Sequence, residues 1–449
     1  MKIGNWFDRL SSSLKSKNSY FPIIIVIMVV SVLVDSQLGI IADFIPEYLS
    51  SPTGLALFVS LTVFSIFSSY YLINNVKHIN SLTVGRYAHF KLIYYLVFTG
   101  QCLITLMLIF AVLQILIFHE YDTVSLFVIH IISYGIWIGI LGLLARAFIL
   151  WYRNFNQNIM IMIFAMAMIA YVVNGVFGLF NQIDMLTQQD RIIPSDYVAN
   201  FPEFGNLSVS DQINVVYQMS SLAAYILTWI GSVKLLYQNL RRIGRLRFWC
   251  IMILPLMYYN ISFPLFVLGY FDPVNDENAL LNILIVSFGG IISGIMFGIS
   301  FLYVARTLKS NSVIRTQLIL TAYGFLIFYI TGSATAAQSA YPPFGLISVS
   351  LIGLSCYLIY SGLCSAAQIV SQDLVLLRSI KNSVTEQANF LGSIGTAHRN
   401  KELESRVLTV AKNLENEMEE ASEVEPSMTE TEIVDYIQYV MDEIHQSKK

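Results

Sequence analysis

Residues 92–118 read LIYYLVFTGQCLITLMLIFAVLQILIF, a stretch of 27 residues that contains no charged side chain. A helix of about 20 apolar residues crosses a hydrocarbon core about 30 Å thick, so this stretch is long enough to span a membrane. Similar stretches recur along the 449-residue chain, of which 56% is apolar and only 12% charged. A soluble domain carries about 25% charged residues. The composition therefore excludes a soluble enzyme and predicts an all-α, polytopic membrane protein.

Windows of about twenty residues predict ten transmembrane helices. They cover residues 21–42, 54–75, 92–118, 125–151, 159–180, 214–238, 248–271, 281–305, 318–338 and 345–368. The predicted organisation is a basic N-terminal segment over 1–20, a ten-helix transmembrane bundle over 21–368 and a short, acidic, helical tail over 369–449. All four cysteines fall in apolar stretches and indicate small buried side chains, with no disulfide framework or zinc set.

The charges predict the orientation of the chain. With ten spans, 25 of the 26 Lys and Arg residues fall on one side of the membrane, and Arg191 alone falls on the other. Lys and Arg collect in cytoplasmic loops, so both termini are expected in the cytoplasm of a multi-pass protein of the cell membrane. We call the predicted cytoplasmic side the inner side and the opposite one the outer side. The outer side carries 13 of the 14 acids that precede the tail.

A weak tandem repeat relates residues 54–180 to residues 214–338. FSSYYLINNVKHI (67–79) aligns with GSVKLLYQNLRRI (231–243), and a Gly-Arg pair follows each segment. The period is four helices, which predicts a parallel duplication. Shared apolar composition produces such matches as well, so duplication and chance both stay open.

The seventh predicted helix contains the first candidate ligand site. It reads CIMILPLMYYNISFPLFVLGYF (250–271), with one proline on each side of Tyr258, Tyr259 and Asn260. Each proline removes a backbone donor near the middle of the membrane, and such breaks mark binding sites in many transporters. A simple packing kink is the alternative interpretation.

Asp35 and His130 are the two titratable groups predicted well inside the outer leaflet, and they complete the candidate ligand-binding set. An ion-coupled transporter normally needs acids or histidines along its path, so their scarcity disfavours that class. His119, Glu120 and Asp122 lie near His130 in sequence but lack the spacing of a metal site, and we expect no metal and no cofactor. Phosphate-binding and nucleophile motifs are absent from the sequence, which predicts no enzymatic activity.

Small residues predict where helices pack closely. Gly290, Gly294 and Gly298 recur every four residues in the eighth helix, and Gly135 and Gly139 do so in the fourth. Such stripes let two backbones approach each other, because apolar side chains gain little by leaving lipid. Packing within one chain is expected first, and a dimer interface is the alternative.

The tail continues with heptad-like apolar spacing, which predicts three short amphipathic helices. FLGSIG (390–395) is expected to break the first from the second, and a capping box at Thr429 and Glu432 begins the third. The apolar positions of the second helix, Leu403, Val407, Val410 and Leu414, are predicted to contact a cytoplasmic partner protein or a second copy of the chain. We expect the tail to be dispensable for folding.

The C-terminal quarter carries the one resemblance to known proteins. AYPPFGLISVSLIGLSCYLIYSGL (340–363), SQDLVLLRSIK (371–381) and FLGSIGTAHRNKELE (390–404) are similar to a group of uncharacterised polytopic membrane proteins from archaea. The resemblance implies membrane localisation and brings no activity, ligand or site residue with it.

These features favour a non-enzymatic membrane sensor or adaptor that couples the bundle to the helical tail. A secondary transporter or channel with its site at the broken seventh helix is the first alternative. A structural subunit of a membrane complex is the second. The expected partners are the lipid bilayer and a cytoplasmic protein, with a homo-oligomer left open and nucleic acid excluded.

Overall fold

The computed structural model is almost entirely helical. It describes residues 21–41, 49–83, 88–154, 159–187, 191–192, 209–237, 244–246, 248–250, 252–257, 279–307, 313–332, 341–372 and 386–422.

Eleven helices and one pair of very short strands make up the principal described elements. In chain order they are α1 Phe21–Ile41, α2 Pro52–Thr83, α3 Ala88–Phe118, β1 Tyr121–Asp122, α4 Thr123–Asn154, α5 Ile159–Thr187, β2 Arg191–Ile192, α6 Val209–Tyr237, α7 Ala279–Thr307, α8 Val313–Gly332, α9 Leu346–Ser350, α10 Ile352–Gln372 and α11 Glu386–Ser422. The strands pair antiparallel, with Tyr121 opposite Ile192 and Asp122 opposite Arg191.

Seven helices of the described residues are long and apolar enough to cross a membrane. They are Pro52–Asn80, Phe90–Phe118, Thr123–Arg153, Ile159–Asp184, Val215–Tyr237, Val313–Gly332 and Leu346–Ser371. Three further apolar helices are shorter, and these are Ile23–Gly39, Phe248–Met257 and Gly290–Arg306. The polytopic helical architecture is therefore confirmed, whereas the number of ten spans stays a prediction.

The outward faces of the helices are apolar, as a lipid environment requires. On α3, Leu96, Leu103 and Leu106 are 52%, 46% and 58% exposed, while Val97 and Ile104 on the opposite face are buried. In water this pattern would be unstable, because large exposed apolar patches drive association. In a bilayer the same side chains contact acyl chains at no cost.

Aromatic side chains fill the middle of the bundle between α4, α5, α6, α7 and α8. The Tyr171 hydroxyl is hydrogen-bonded to the hydroxyls of Thr228 and Tyr329, and the Tyr225 hydroxyl is bonded to that of Ser293 at 3.1 Å. Phe328 packs edge-on against both Trp137 and Tyr171. These hydroxyl bonds satisfy polar groups at a depth where water does not reach them.

Candidate functional site

One membrane helix lies inside the others. Together α9 and α10 contact α1, α2, α3, α4, α8 and α11. The apolar core of Leu346–Ser371 is 100% buried, against 33% for Phe90–Phe118 on the lipid-facing side. We call α9 and α10 the central helix. The predicted span 345–368 is confirmed as helical, but it turns at Leu351 and extends to Gln372.

Six serines along the central helix explain how a helix of modest polarity can be buried there. In three of them, Ser350, Ser355 and Ser371, the hydroxyl donates a hydrogen bond to a carbonyl of the preceding turn. The other three, Ser348, Ser361 and Ser365, bond side chains of different helices. A small side chain also lets neighbouring backbones approach, so the helix is surrounded closely on all sides.

Asp35 of α1 holds the outer end of the central helix. Its Oδ1 accepts the N–H of Gly345 at 3.0 Å, and its Oδ2 accepts the N–H and the hydroxyl of Ser348 at 2.8 and 2.7 Å. Gly345 is the N-cap of α9 and Ser348 its third residue, so Asp35 caps this helix from another part of the chain. We call these three residues the outer clasp.

The backbone around the outer clasp fits too closely for larger side chains. Gly345 has a φ of 92°, a region that residues with a Cβ rarely adopt. A Cβ on Gly39 would lie 2.8 Å from the carbonyl oxygen of Phe344. The Phe344 ring packs edge-on against Phe58 of α2, and Tyr341 stacks on Tyr121 of β1. The outer clasp joins α1 to the central helix, and the adjacent aromatic contacts join α2 and the outer strand pair to the residues just before it.

A cluster of neutral polar side chains connects the inner half of the central helix to α2 and α8. Asn80 donates to the hydroxyl of Ser361 at 2.7 Å, and its Oδ1 accepts Ser365 at 3.2 Å and the Nε2 of Gln317 at 3.3 Å. All four residues are buried. Such networks favour one relative register of three helices, because a shift would break the bonds of the buried Asn80 amide to Ser361, Ser365 and Gln317.

Glycines bring α8 and α10 into backbone contact beside this cluster. A Cβ on Gly324 would lie 2.8 Å from the backbone nitrogen of Ile359. A Cβ on Gly362 would lie 2.5 Å from the carbonyl oxygen of Gln317 and even closer to the hydroxyl of Thr321. The central helix is therefore rigidly seated against α8.

The first turns of α11 are built into the inner end of the bundle. Phe390, Leu391, Ile394 and Ala397 are at most 2% exposed. The Phe390 ring lies 5.5 Å from that of Phe164 on α5, and a Cβ on Gly395 would overlap the side chain of Val370 on α10. The sequence predicted a break at FLGSIG. That prediction is wrong, since α11 is continuous from Glu386 to Ser422 and its small residues serve close packing.

His398 marks the place where α11 leaves the bundle. Its ring lies edge-on to Trp151 at the end of α4, with ring centroids 6.3 Å apart. Burial lowers the pKa of His398 from its usual value, while Glu402 one turn later raises it. Beyond this point Leu403, Val407 and Val410 are 44%, 45% and 57% exposed. The tail therefore begins inside the bundle and becomes exposed after about residue 400, so the expectation that all of it is dispensable for folding needs revision.

Of the predicted ligand-binding residues, Tyr258, Tyr259 and Asn260 lie outside the described residues. Asp35 is buried within the outer clasp. His130 is buried on α4, where its Nδ1 lies 2.6 Å from the carbonyl oxygen of Leu126 and its ring stacks on Tyr134. Asp35 thus bonds α9, whereas His130 contacts residues of its own helix, and the ligand-binding role of the set stays a prediction.

The predicted packing glycines fall into two environments. A Cβ on Gly294 or Gly298 would lie 2.9 Å from a carbonyl oxygen of α8, so α7 and α8 touch there. Gly135 and Gly139 are exposed on α4, and no described atom comes within 4 Å of a Cβ on either. Gly290 is half-buried on the same helix as the first pair. Of the predicted tail contacts, Leu414 belongs to α11, but its side chain lies outside the described part of the structure.

Sequence reasoning missed Ser348, Asn80 and Gln317. Asn80 and Gln317 lie outside the predicted spans 54–75 and 318–338, because NNVKHIN and SVIRTQ look like polar loops. The helices continue through both segments. Six serines between residues 346 and 372 were the available signal, since a lipid-facing helix has little use for them.

The arrangement can transmit displacement, and its buried carboxylate–hydroxyl pair, Asp35 with Ser348, caps a helix. In the part of the chain that the structure describes, no group of three His, Cys, Asp or Glu side chains is placed to hold a metal ion. A groove of about 650 Å³ beside the helix Phe248–Met257 is lined by Trp249, Ile253 and other exposed side chains that face outward. Comparison with family models, curated proteins and solved structures gave no match.

Proposed function

We propose that the protein is a non-enzymatic membrane sensor or adaptor, in which the central helix carries a displacement from the outer side to α11. The observation that supports this most is the burial of one helix over nearly its whole length, with polar attachments at its outer end and in its inner half. We further propose that the protein resides in the cell membrane with both termini in the cytoplasm. The orientation rests on the distribution of Lys and Arg.

The outer clasp is a suitable input. Its three hydrogen bonds involve a carboxylate buried in a low-dielectric interior, where charge-assisted bonds are strong and depend steeply on geometry. A shift of α1 against α9 by about 1 Å would weaken all three together. Gly39 of α1 packs closely on Phe344, so a local rearrangement between α1 and α9 cannot absorb that shift.

The inner end is a suitable output. Val370 of α10 packs into α11 at Gly395, so a displacement of the central helix moves α11 directly. The exposed half of α11 carries the apolar positions that partners recognise.

A double-mutant cycle tests this coupling. Ser348→Ala weakens the outer clasp, and Ile394→Ala weakens the contact of α11 about 30 Å away along the helix. Sites this distant normally add within about 0.5 kcal/mol in their effects on the free energy of unfolding. We expect a departure from additivity of about 1 kcal/mol, measured by detergent titration in mixed micelles.

Ser350→Ala with Ile394→Ala is the matched control. Ser350 is buried on the same short helix, but its hydroxyl bonds the carbonyl of Ile347 within that helix. This second pair should be additive. Additivity of both pairs would remove the support for coupling through the central helix.

One observation favours a second candidate function, a secondary transporter or channel. The buried amides of Asn80 and Gln317 form a polar cluster between three membrane helices, as substrate sites do. The predicted site at Tyr258, Tyr259 and Asn260 would add to this cluster. The pairing of the Asn80 side chain with Ser361 and Ser365 makes a fixed structural network the simpler interpretation.

A further inference from the structure

Asp35 is the one acid buried inside the bundle, within the part of the chain that the structure describes. Its side chain is 0% exposed, and no other described Asp or Glu is buried. Both carboxylate oxygens accept hydrogen bonds, one from Gly345 and two from Ser348. Removal from water destabilises a charge, so the charge on Asp35 persists because these donors replace water. Proton uptake by Asp35 and the state of the outer clasp are therefore linked.

No cation neutralises this carboxylate among the residues that the structure describes. The helix that carries Asp35, α1, packs against α2, α7, α8 and α9. The cationic and histidine side chains described on these helices lie at the inner ends, whereas Asp35 lies near the outer end of α1; they are Lys77, His78, Arg306 and Arg315. The short helix α9 has no ionisable side chain. Tyrosines stay neutral below a pH of about 9, so Asp35 is the group of this cluster that titrates in acid.

The Ser348 hydroxyl lies between two acceptors, which gives the outer clasp two possible hydrogen-bond arrangements. Its Oγ is 2.7 Å from Oδ2 of Asp35 and 3.1 Å from the carbonyl oxygen of Val32, one turn earlier on α1. A hydroxyl donates one hydrogen bond and accepts through two lone pairs. With the carboxylate charged, the hydroxyl donates to Asp35. With a proton on Oδ2, the same hydroxyl accepts from Asp35 and turns to donate to Val32.

We propose that the outer clasp is a proton-binding site, in which Asp35 takes up one proton on Oδ2 as the pH falls. The site then loses one negative charge, while the Ser348 hydroxyl keeps a donor and an acceptor. The bonds from the N–H groups of Gly345 and Ser348 change from charge-assisted to neutral, and neutral bonds are about half as strong. Protonation therefore weakens the clasp reversibly and does not dismantle it.

The proposal deepens the proposed function, because it names the proton as the signal that the sensor receives. It rests on that function only for the role of the outer clasp as the input. Its pH dependence has one sign. The charged carboxylate makes the stronger bonds, so the clasp contributes fully to stability at high pH, and this contribution declines as the pH falls and the proton binds.

Infrared difference spectroscopy of the full-length protein in lipid nanodiscs tests proton binding directly. Spectra are compared between pH about 8 and about 5, a range in which an exposed Asp with a pKa of about 3.9 stays largely charged. At the lower pH we expect the C=O stretching band of a protonated carboxylic acid, and we expect Asp35→Asn to lack it. Asp122→Asn is the matched control and should retain the band, since Asp122 is only half-buried and bonds Gln114 near the outer strand pair.

Thermal unfolding of the same samples provides the second measurement. Asp35→Asn imitates the protonated group, because its side chain is neutral and can donate to Ser348. Between the two pH values, we expect the unfolding temperature of wild type to fall by about 3 °C more than that of Asp35→Asn. Should Asp35→Asn fail to fold, Ser348→Ala replaces it in the infrared measurement. This variant keeps the carboxyl group but removes the acceptor of its proton, so the band should move to higher wavenumber.

Absence of the band in wild type, its persistence in Asp35→Asn or an unmoved band in Ser348→Ala would overturn the proposal. An equal fall of the unfolding temperature in wild type and Asp35→Asn would overturn it as well. The band reports proton binding alone, so it can be absent while the coupling between Ser348 and Ile394 persists. The two proposals are therefore tested separately.

Discussion

A chain that ends after Ile380 is expected to lose its compact fold, whereas a chain that ends after Glu402 retains it. The first truncation removes Phe390, Leu391 and Ile394, all of which are at most 2% exposed. It uncovers part of the surface of Phe164 and Val370. Each large side chain contributes about 1.5–3 kcal/mol through burial, so the loss is a large share of a typical stability of about 5–15 kcal/mol.

The two truncations are compared by size-exclusion chromatography and thermal unfolding after extraction in the same detergent. We expect aggregation, or a much lower unfolding temperature, for the chain that ends at Ile380, and near-native behaviour for the chain that ends at Glu402. If both truncated chains behaved like the full-length protein, the buried turns of α11 would not belong to the folded core.

Substitution of Asp35 by alanine is expected to have the largest effect of any single change at the outer end. It leaves the N–H groups of Gly345 and Ser348 and the Ser348 hydroxyl without their shared acceptor. A buried donor that loses its partner costs about 1–3 kcal/mol, and hydrogen bonds to charged groups lie at the upper end. We expect Asp35→Ala to lower the free energy of unfolding by about 3 kcal/mol or more.

The free energy of unfolding of Asp35→Asn should lie between those of wild type and Asp35→Ala. The amide oxygen of Asn still accepts hydrogen bonds on one side, whereas its NH₂ faces a donor on the other. Ser36→Ala is the matched control on the neighbouring residue. The Ser36 hydroxyl is neutral and makes a long hydrogen bond of 3.4 Å to the carbonyl of Ile330, so its loss should cost less than the loss of the Asp35 carboxylate. An effect of Asp35→Ala as small as that of Ser36→Ala would show that the clasp does not hold the central helix.

Hydrophobicity made most of the helices predictable, whereas the centre of the bundle was not. The run at 92–118 and the confirmed helix Ala88–Phe118 agree closely, because length and apolarity alone decide whether a segment can cross a bilayer. Which helix lies at the centre depends on how closely small residues let neighbouring helices pack. The mean hydropathy of a window does not report this property. The burial of Ser348 and Ser361 therefore came only from the structure.

Two errors of the sequence analysis have the same physical origin. Polar residues at helix ends were assigned to loops, which excluded Asn80 and Gln317 from the spans. Glycines in FLGSIG were taken as helix breakers. In both segments tertiary contacts override local preference: Asn80 bonds Ser361, and Gly395 provides room for Val370. Local propensities of about 1 kcal/mol per residue are easily outweighed by such packing.

Amide hydrogen exchange across α11 tests the central claim most directly, namely that the outer clasp controls the inner helix. Full-length protein in lipid nanodiscs is compared with Ser348→Ala and with the control Ser350→Ala. The account predicts that exchange over residues 390–400 is about fivefold faster in Ser348→Ala, the factor that corresponds to about 1 kcal/mol, and unchanged in Ser350→Ala. Faster exchange confined to residues 30–40 and 341–352, with residues 390–400 as in wild type, would contradict it.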